Sequence, residues 1–221
     1  MRRILVILLC LCMVTPVCAK AEKYVALTFD DGPSGRFTRT LLDGLEKRNV
    51  KATFLLCGYR IKDYPAEAKR IADEGHEIGL HGYSHNCMAK MCQEELEREI
   101  ADTLALLPEE CRPVFLRPPG GKYSDAVIDA AKQADLGILS WSVDPKDWAS
   151  HDVKTIRQTV VNTIQDGDVV LLHDMSDSSV EAALEIIDEL KAQGFTFVTA
   201  SELAKLKNVT IQPGKVYERF L

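Results

Sequence analysis

The sequence predicts one α/β domain in which about seven parallel strands alternate with helices and curl into an incomplete barrel. Three observations point there. Short apolar runs of strand length alternate with segments whose apolar residues recur at helical spacing. Glycine, proline or acidic residues close nearly every strand-like run. Chemistry-bearing side chains also follow strand after strand: Asp30 and Asp31 the first, His81 and His85 the third, Arg117 the fourth, Asp144 and Asp147 the fifth, His173 the sixth. In a parallel barrel these ends share one face, the face on which active sites are built. The competing architecture is an open doubly wound sheet. That fold would carry a Gly-x-Gly-x-x-Gly turn after its first strand, whereas Thr28-Phe29-Asp30-Asp31-Gly32-Pro33 is opposite in charge to a phosphate turn. Barrel closure fits better.

Taken in order, Tyr24-Val25-Ala26-Leu27 is a buried strand that breaks at Asp-Asp-Gly-Pro. Leu41, Leu42 and Leu45 mark a helix face ending near Arg48-Asn49, and Ala52 to Leu56 is a second strand. A helix over Ala66 to Glu74 stops at Gly75, and Glu77 to Leu80 runs as a third strand into His81. Leu96, Ile100, Leu104 and Leu107 share one face of a helix over Gln93 to Leu107. Pro113 to Leu116 is a short strand closed by Arg117-Pro118-Pro119-Gly120-Gly121. A helix from Tyr123 to Ala134 precedes a fifth strand within Leu136 to Val143. Val153, Ile156, Val160 and Ile164 stripe the next helix, and Val169 to Leu172 is the sixth strand. Val180, Leu184 and Ile187 mark a helix halted at Gly194, Phe195 to Val198 is the seventh strand, and a short helix starts at Ser201. Residues 207–221 read as a C-terminal tail, leaving residues 23–206 as the single folded domain.

The first residues, Met1-Arg2-Arg3, then Ile4 to Val14, then Pro16-Val17-Cys18-Ala19, form a basic start, an apolar core and a small-residue exit. Residues 1–19 are therefore expected to be a secretory signal peptide, cut after Ala19 or Ala21, which places the protein outside the cell or in its envelope. The apolar run is short for a bilayer span, so no permanent membrane anchor is expected. Cleavage after Ala19 removes Arg2 and Arg3 and leaves 25 basic against 33 acidic residues, a formal charge of −8. An acidic chain without a basic cluster argues against nucleic acid as partner. Four cysteines follow the signal, Cys57, Cys87, Cys92 and Cys111. In an oxidising compartment they are expected to pair, by any of three connectivities, the alternative being that some stay free or bind metal.

Alone, Asp30-Asp31-Gly32-Pro33 is explained by an Asx-turn capping a strand. At a strand end, however, neighbouring side chains point to opposite faces, so two acids there can take separate tasks, one holding a cation and the other moving a proton. His81-Gly82-Tyr83-Ser84-His85 places two imidazoles at a separation that suits one metal. With Asp31 they make two nitrogens and one oxygen, a catalytic zinc set with positions left open. Cys87 is a rival ligand, but a thiolate would close the site.

In this order, Thr28 to Pro33, His81 to His85, Arg117 to Gly120, Asp144 to Trp148 and Leu171-Leu172-His173 resemble the five motifs of the polysaccharide deacetylases of carbohydrate esterase family four. The resemblance spans about Lys23 to Lys205. It implies a distorted, incomplete (β/α) barrel and a divalent metal, Zn2+ or alternatively Co2+, used to remove acetyl groups from sugars. It also assigns roles: Asp30 is the general base, Asp31, His81 and His85 the metal ligands, and His173 the general acid. Arg117 orients Asp30 and Asp147 holds His173. Gly120, Tyr123, Trp148 and Leu171 form the substrate-binding surface, with Trp148 and Leu171 near the acetyl methyl; on physical grounds a backbone N–H of the Arg117-to-Tyr123 loop, that of Gly120 a candidate, would hold the developing oxyanion. One departure is visible: Gly82 stands where the family usually has Ser or Thr after its first histidine, which bears on the rigidity of the loop.

The expected substrate is an N-acetylglucosamine-containing glycan, peptidoglycan first and chitooligosaccharide next, hydrolysed by a monomer. An O-acetyl esterase on acetylated xylan would use the same mechanism. A non-catalytic glycan-binding protein would lack a ligand, the base or the acid, and all are present. A structural zinc protein would show four closed ligands and no proton-transfer pair beside them.

Overall fold

A computed structural model describes residues 22–221. The expected signal peptide and the three cysteines within it lie outside the described residues. Among the described residues eight strands and eight α-helices follow one another: β1 (Lys23–Asp30), α1 (Arg36–Arg48), β2 (Thr53–Leu56), α2 (Gly58–Asp63), α3 (Pro65–Asp73), β3 (Glu77–Leu80), α4 (Gln93–Leu104), β4 (Phe115–Leu116), α5 (Asp125–Gln133), β5 (Gly137–Leu139), α6 (Val153–Thr163), β6 (Val169–His173), α7 (Asp177–Ala192), β7 (Phe195–Phe197), α8 (Ala200–Leu206) and β8 (Val216–Tyr217). The strands run β6-β1-β2-β3-β4-β5-β8, and β7 joins the start of β1. Every pairing among these strands is parallel. The fold is therefore the expected incomplete α/β barrel.

Alternation along β1 shows how the sequence builds both sides of the wall. Val25, Leu27 and Phe29 point outward into the large cluster that includes Leu41, Leu42 and Leu45 of α1 and Ile186 and Ile187 of α7. Ala26 points inward to Leu55, Phe115, Leu139 and Val169. Thr28 and Asp30 continue that inner row upward, so the barrel axis grades from apolar at the base to charged at the top. Near the upper end, Val143 bridges to Val170 and closes the gap between the chain after β5 and β6. Lower down, β5 and β6 diverge.

That divergence explains the main departure from the sequence reading. Residues 207–221, expected to be a tail, supply β8, which pairs with β5 through Ile138 and Val216. Beyond it, Phe220 is buried against Tyr217 and Phe115. The Phe220 N–H donates to the Gly167 carbonyl at 2.9 Å, and Arg219 pairs with the buried Asp168 at 3.0 Å. A two-residue strand among Pro and Gly carries too little periodicity to be read from sequence, and it forms because the open base of the barrel leaves β5 an unpaired edge. For the same reason α2 was missed: its six residues give no full helical repeat.

Candidate active site

The register of the strands collects the polar residues at one end. Asp30 is level with His173 of β6, Leu56 with Leu80, and Leu80 with Leu116, so His81 and Arg117 leave adjacent strands side by side. Strict strand alternation would send Asp31 away from Asp30. Instead the strand ends at Asp30 and Asp31 takes a left-handed φ of 72°, which swings its carboxylate back over the same cavity. Asp174 holds this turn from below: its carboxylate accepts from the Thr38 hydroxyl, its carbonyl accepts from Ser34, and a Cβ at Gly32 would lie 2.6 Å from its Oδ1. Burial pushes the Asp174 carboxyl up to about 6, against the pull of the Thr38 hydroxyl.

His81 Nδ1 lies 2.7 Å from the Arg117 carbonyl, which can only accept, so the ring hydrogen sits there and the Nε2 lone pair faces outward. Nε2 is 3.3 Å from Asp31 Oδ1, and His85 Nε2 is 2.9 Å from the same oxygen. That oxygen is buried and accepts no hydrogen bond. A lone pair facing an anionic oxygen at this range is repulsive unless a cation lies among them. The Asp31, His81 and His85 donor atoms all fall within 4.8 Å of one another, so this donor set fits a divalent metal. Where protons rather than a cation fill that gap, the charged His81 and His85 rings overcome burial, which would raise the Asp31 carboxyl, and hold it well below the usual carboxylate range. The same Asp31 contact, opposed by burial, raises His85.

Arg117 is fully buried and spends its guanidinium on four acceptors. Nε donates to the Leu139 carbonyl at 2.8 Å and one terminal nitrogen to the Ser140 carbonyl at 2.8 Å. The other donates to Thr28 Oγ1 at 2.8 Å and to Asp30 Oδ1 at 2.6 Å. The Asp30 carboxylate is thus fixed by a cation from below, while Oδ2 lies 3.7 Å from His81 Nε2. Across the cavity, Asp147 accepts from both the His173 backbone N–H and its Nδ1, each at 2.8 Å. Burial opposes protonation of His173, yet the Asp147 contact, with Asp30 and Asp31 nearby, raises it to about 9. His173 is therefore an imidazolium at neutral pH with Nε2 as its free donor, beside a carboxylate base.

A cavity of about 380 Å³ joins these groups, and Gly120, Trp148 and Leu171 line it as the sequence suggested. Trp141 and Asp144 line it too. Trp141 was missed, its only signal being an aromatic just past β5. Tyr123 does not reach the cavity. Gly120 and Gly121 both take positive φ, and Gly121 packs so close to Trp141 that a Cβ would lie 2.5 Å from the indole, so the chain turns away first. Tyr123 lines a separate groove with β8 residues. The expectation of disulfides is also corrected: Cys57, Cys87, Cys92 and Cys111 are all free thiols. Cys57 is sealed in the core behind β2, where burial pushes its thiol far up and leaves it inert. Cys87 is not among the clustered ligands.

Residues 19–139 match the family model described as polysaccharide deacetylase. The chain is 40% identical over 193 residues to a peptidoglycan-N-acetylglucosamine deacetylase of Bacillus cereus, covering 85% of this chain and 91% of that protein. The chain belongs to the polysaccharide deacetylases of carbohydrate esterase family four. Within the family it is also 38% identical to the peptidoglycan-N-acetylmuramic acid deacetylase PdaC of Bacillus subtilis, of which it covers 40%. Among solved structures, a family 4 acetyl xylan esterase from Clostridium thermocellum in complex with a cobalt ion superposes with a TM-score of 0.83 at 37% identity, covering 89% of this chain and 98% of that one.

Proposed function

We propose that this family member is a secreted, metal-dependent deacetylase that removes the N-acetyl group of N-acetylglucosamine residues in peptidoglycan, acting as a monomer. The observation that carries the reading is the pairing of an Arg117-held Asp30 with an Asp147-held His173 on opposite sides of one cavity, over the Asp31–His81–His85 donor set. A divalent metal bound to Asp31, His81 and His85, with zinc the expected ion, would polarise the acetyl carbonyl and acidify a water. Asp30 takes the proton from the attacking water, because its carboxylate faces that point and Arg117 blocks its other side. His173, charged at neutral pH, donates its Nε2 proton to the departing amine, which leaves poorly as an anion. Trp148 and Leu171 offer apolar surface to the acetyl methyl, and the Gly120 N–H is the proposed oxyanion donor.

The choice of peptidoglycan follows the two Bacillus relatives, and secretion follows the signal-like first residues. No helix among the described residues is long and apolar enough to cross a membrane. The test is acetate release by the mature protein from peptidoglycan, chitooligosaccharides and acetylxylan, with and without a chelator. Release from peptidoglycan that the chelator abolishes and zinc restores supports the reading. Preference for acetylxylan would make the protein an O-acetyl esterase, and binding without release would make it a glycan-binding protein.

A further inference from the structure

The ligand loop from His81 to His85 has its backbone held on both sides. The Gly82 and Tyr83 carbonyls accept from the Gly58 and Tyr59 N–H groups at the start of α2, each at 3.0 Å. On the other side one carboxylate oxygen of Glu99, from the second turn of α4, accepts the Tyr83 N–H at 2.6 Å and the Ser84 N–H at 2.9 Å. Glu99 is fixed in turn, since Leu96 and Ile100 root α4 in the core and the Thr103 hydroxyl donates to the Glu99 carbonyl at 2.7 Å. Gly82 adopts a φ of +74°, and a Cβ there would come within 3.0 Å of the same Glu99 oxygen. Residue 82 therefore has neither the space nor the conformation for a side chain that could brace its own loop, and the brace comes from a helix.

The two histidines depend on this brace unequally. His81 leaves β3 with its N–H bonded to the Leu56 carbonyl and its ring bonded to Arg117, so strands position it. His85 has a positive φ of 60° and a partly exposed ring, and Gly82, Tyr83 and Ser84 separate it from the strand-held His81. We propose that Glu99 is a positioning residue for metal binding: by accepting two adjacent loop amides it sets where His85 stands relative to His81 and Asp31. This rests on the metal reading of the site and adds to it a residue outside the ligand set. A carboxylate on two amides is a charge-assisted contact, and its removal leaves both donors without an acceptor in a half-buried place.

The test is zinc affinity by competition with a chromophoric chelator at a temperature where circular dichroism shows each variant folded. Glu99→Ala should weaken zinc binding about 10- to 100-fold, the usual effect of removing a group that orients a ligand. Glu99→Gln keeps an oxygen that accepts both amides and should stay within about threefold of wild type. Glu99→Asp keeps the charge but withdraws the carboxylate by one methylene, and it should lose affinity as well. At saturating zinc the alanine variant should regain most of its kcat. A residue that served only stability would lower the unfolding midpoint of the metal-free protein and leave the zinc Kd of folded protein unchanged. Wild-type affinity in both folded Ala and Asp variants overturns the role of Glu99. A wild-type chain that binds no zinc overturns the metal reading as well, so the two failures are distinct.

Discussion

Replacing Asp147 by Asn should turn the acid half of the reaction into a pH-dependent defect. The side chain keeps its shape and an oxygen to accept the His173 Nδ1–H, but its charge is gone. In the wild type the Asp147 contact outweighs burial and holds His173 at about 9. Without it, burial outweighs the remaining pull of Asp30 and Asp31 and brings the ring back to about its ordinary 6.5. The sign is set by the acid form, which is present below the pKa and lost above it. At pH 8 the wild-type ring is about nine-tenths protonated and the variant ring about one-thirtieth, a loss of about thirtyfold, whereas at pH 6 the same arithmetic gives less than about twofold. Acetate release from a chitooligosaccharide, measured as kcat/KM from pH 5.5 to 9.5, reads this directly. The ratio of variant to wild type should fall about twentyfold between pH 6 and pH 8. A defect of constant size across that range, or an unmoved alkaline limb, would refute the assignment of His173 as an acid sustained by Asp147.

Three further outcomes follow from the scaffold. Arg117→Met should leave the Asp30 charge buried without its partner and cost about 3–5 kcal/mol in urea unfolding, and retained wild-type stability would mean that Asp30 is held by something else. His76 is buried, with its Nδ1 accepting the Ala52 N–H, and burial lowers it to about 4. Its contribution is full above pH 6.5 and is lost as pH falls toward 4, so His76→Gln should gain about 3 kcal/mol on wild type between pH 7 and pH 4 in chemical unfolding; a pH-independent difference would contradict this. Gly167→Ala forces a Cβ to 1.9 Å from the Phe220 carbonyl at a φ of +91° and should cost about 2–4 kcal/mol, while an unchanged midpoint would mean that the C-terminal segment does not seal the base.

What could be read from the sequence was whatever local periodicity or local charge encodes. The strands β1 to β7 and the helices other than α2 announce themselves because each buries a continuous face, as Val25, Leu27 and Phe29 do against α1 and α7. Asp30, Asp31, His81, His85, Arg117, Asp147 and His173 stood out because charged groups at strand ends are costly without a task, and the structure brings all seven to one end of the barrel. Contacts that depend on the assembled fold left no such trace. Glu99 looks like one more acid on the polar face of α4, and its two amide contacts exist only once that helix lies over the ligand loop. Val216-Tyr217 is too short for a period and becomes a strand through the edge that β5 offers. Tyr123 lies near the site in sequence, but two positive-φ glycines turn the chain before it and its side chain lines a separate groove.

The division of labour between the adjacent acids is the centre of the account, and Asp30→Asn tests it most directly through two readouts on one sample, zinc content by elemental analysis and acetate release. The account predicts one zinc per chain, as in wild type, with acetate release abolished, because Asp31 and the histidines are untouched while the proton acceptor is gone. Acetate release persisting in a zinc-loaded variant would contradict it.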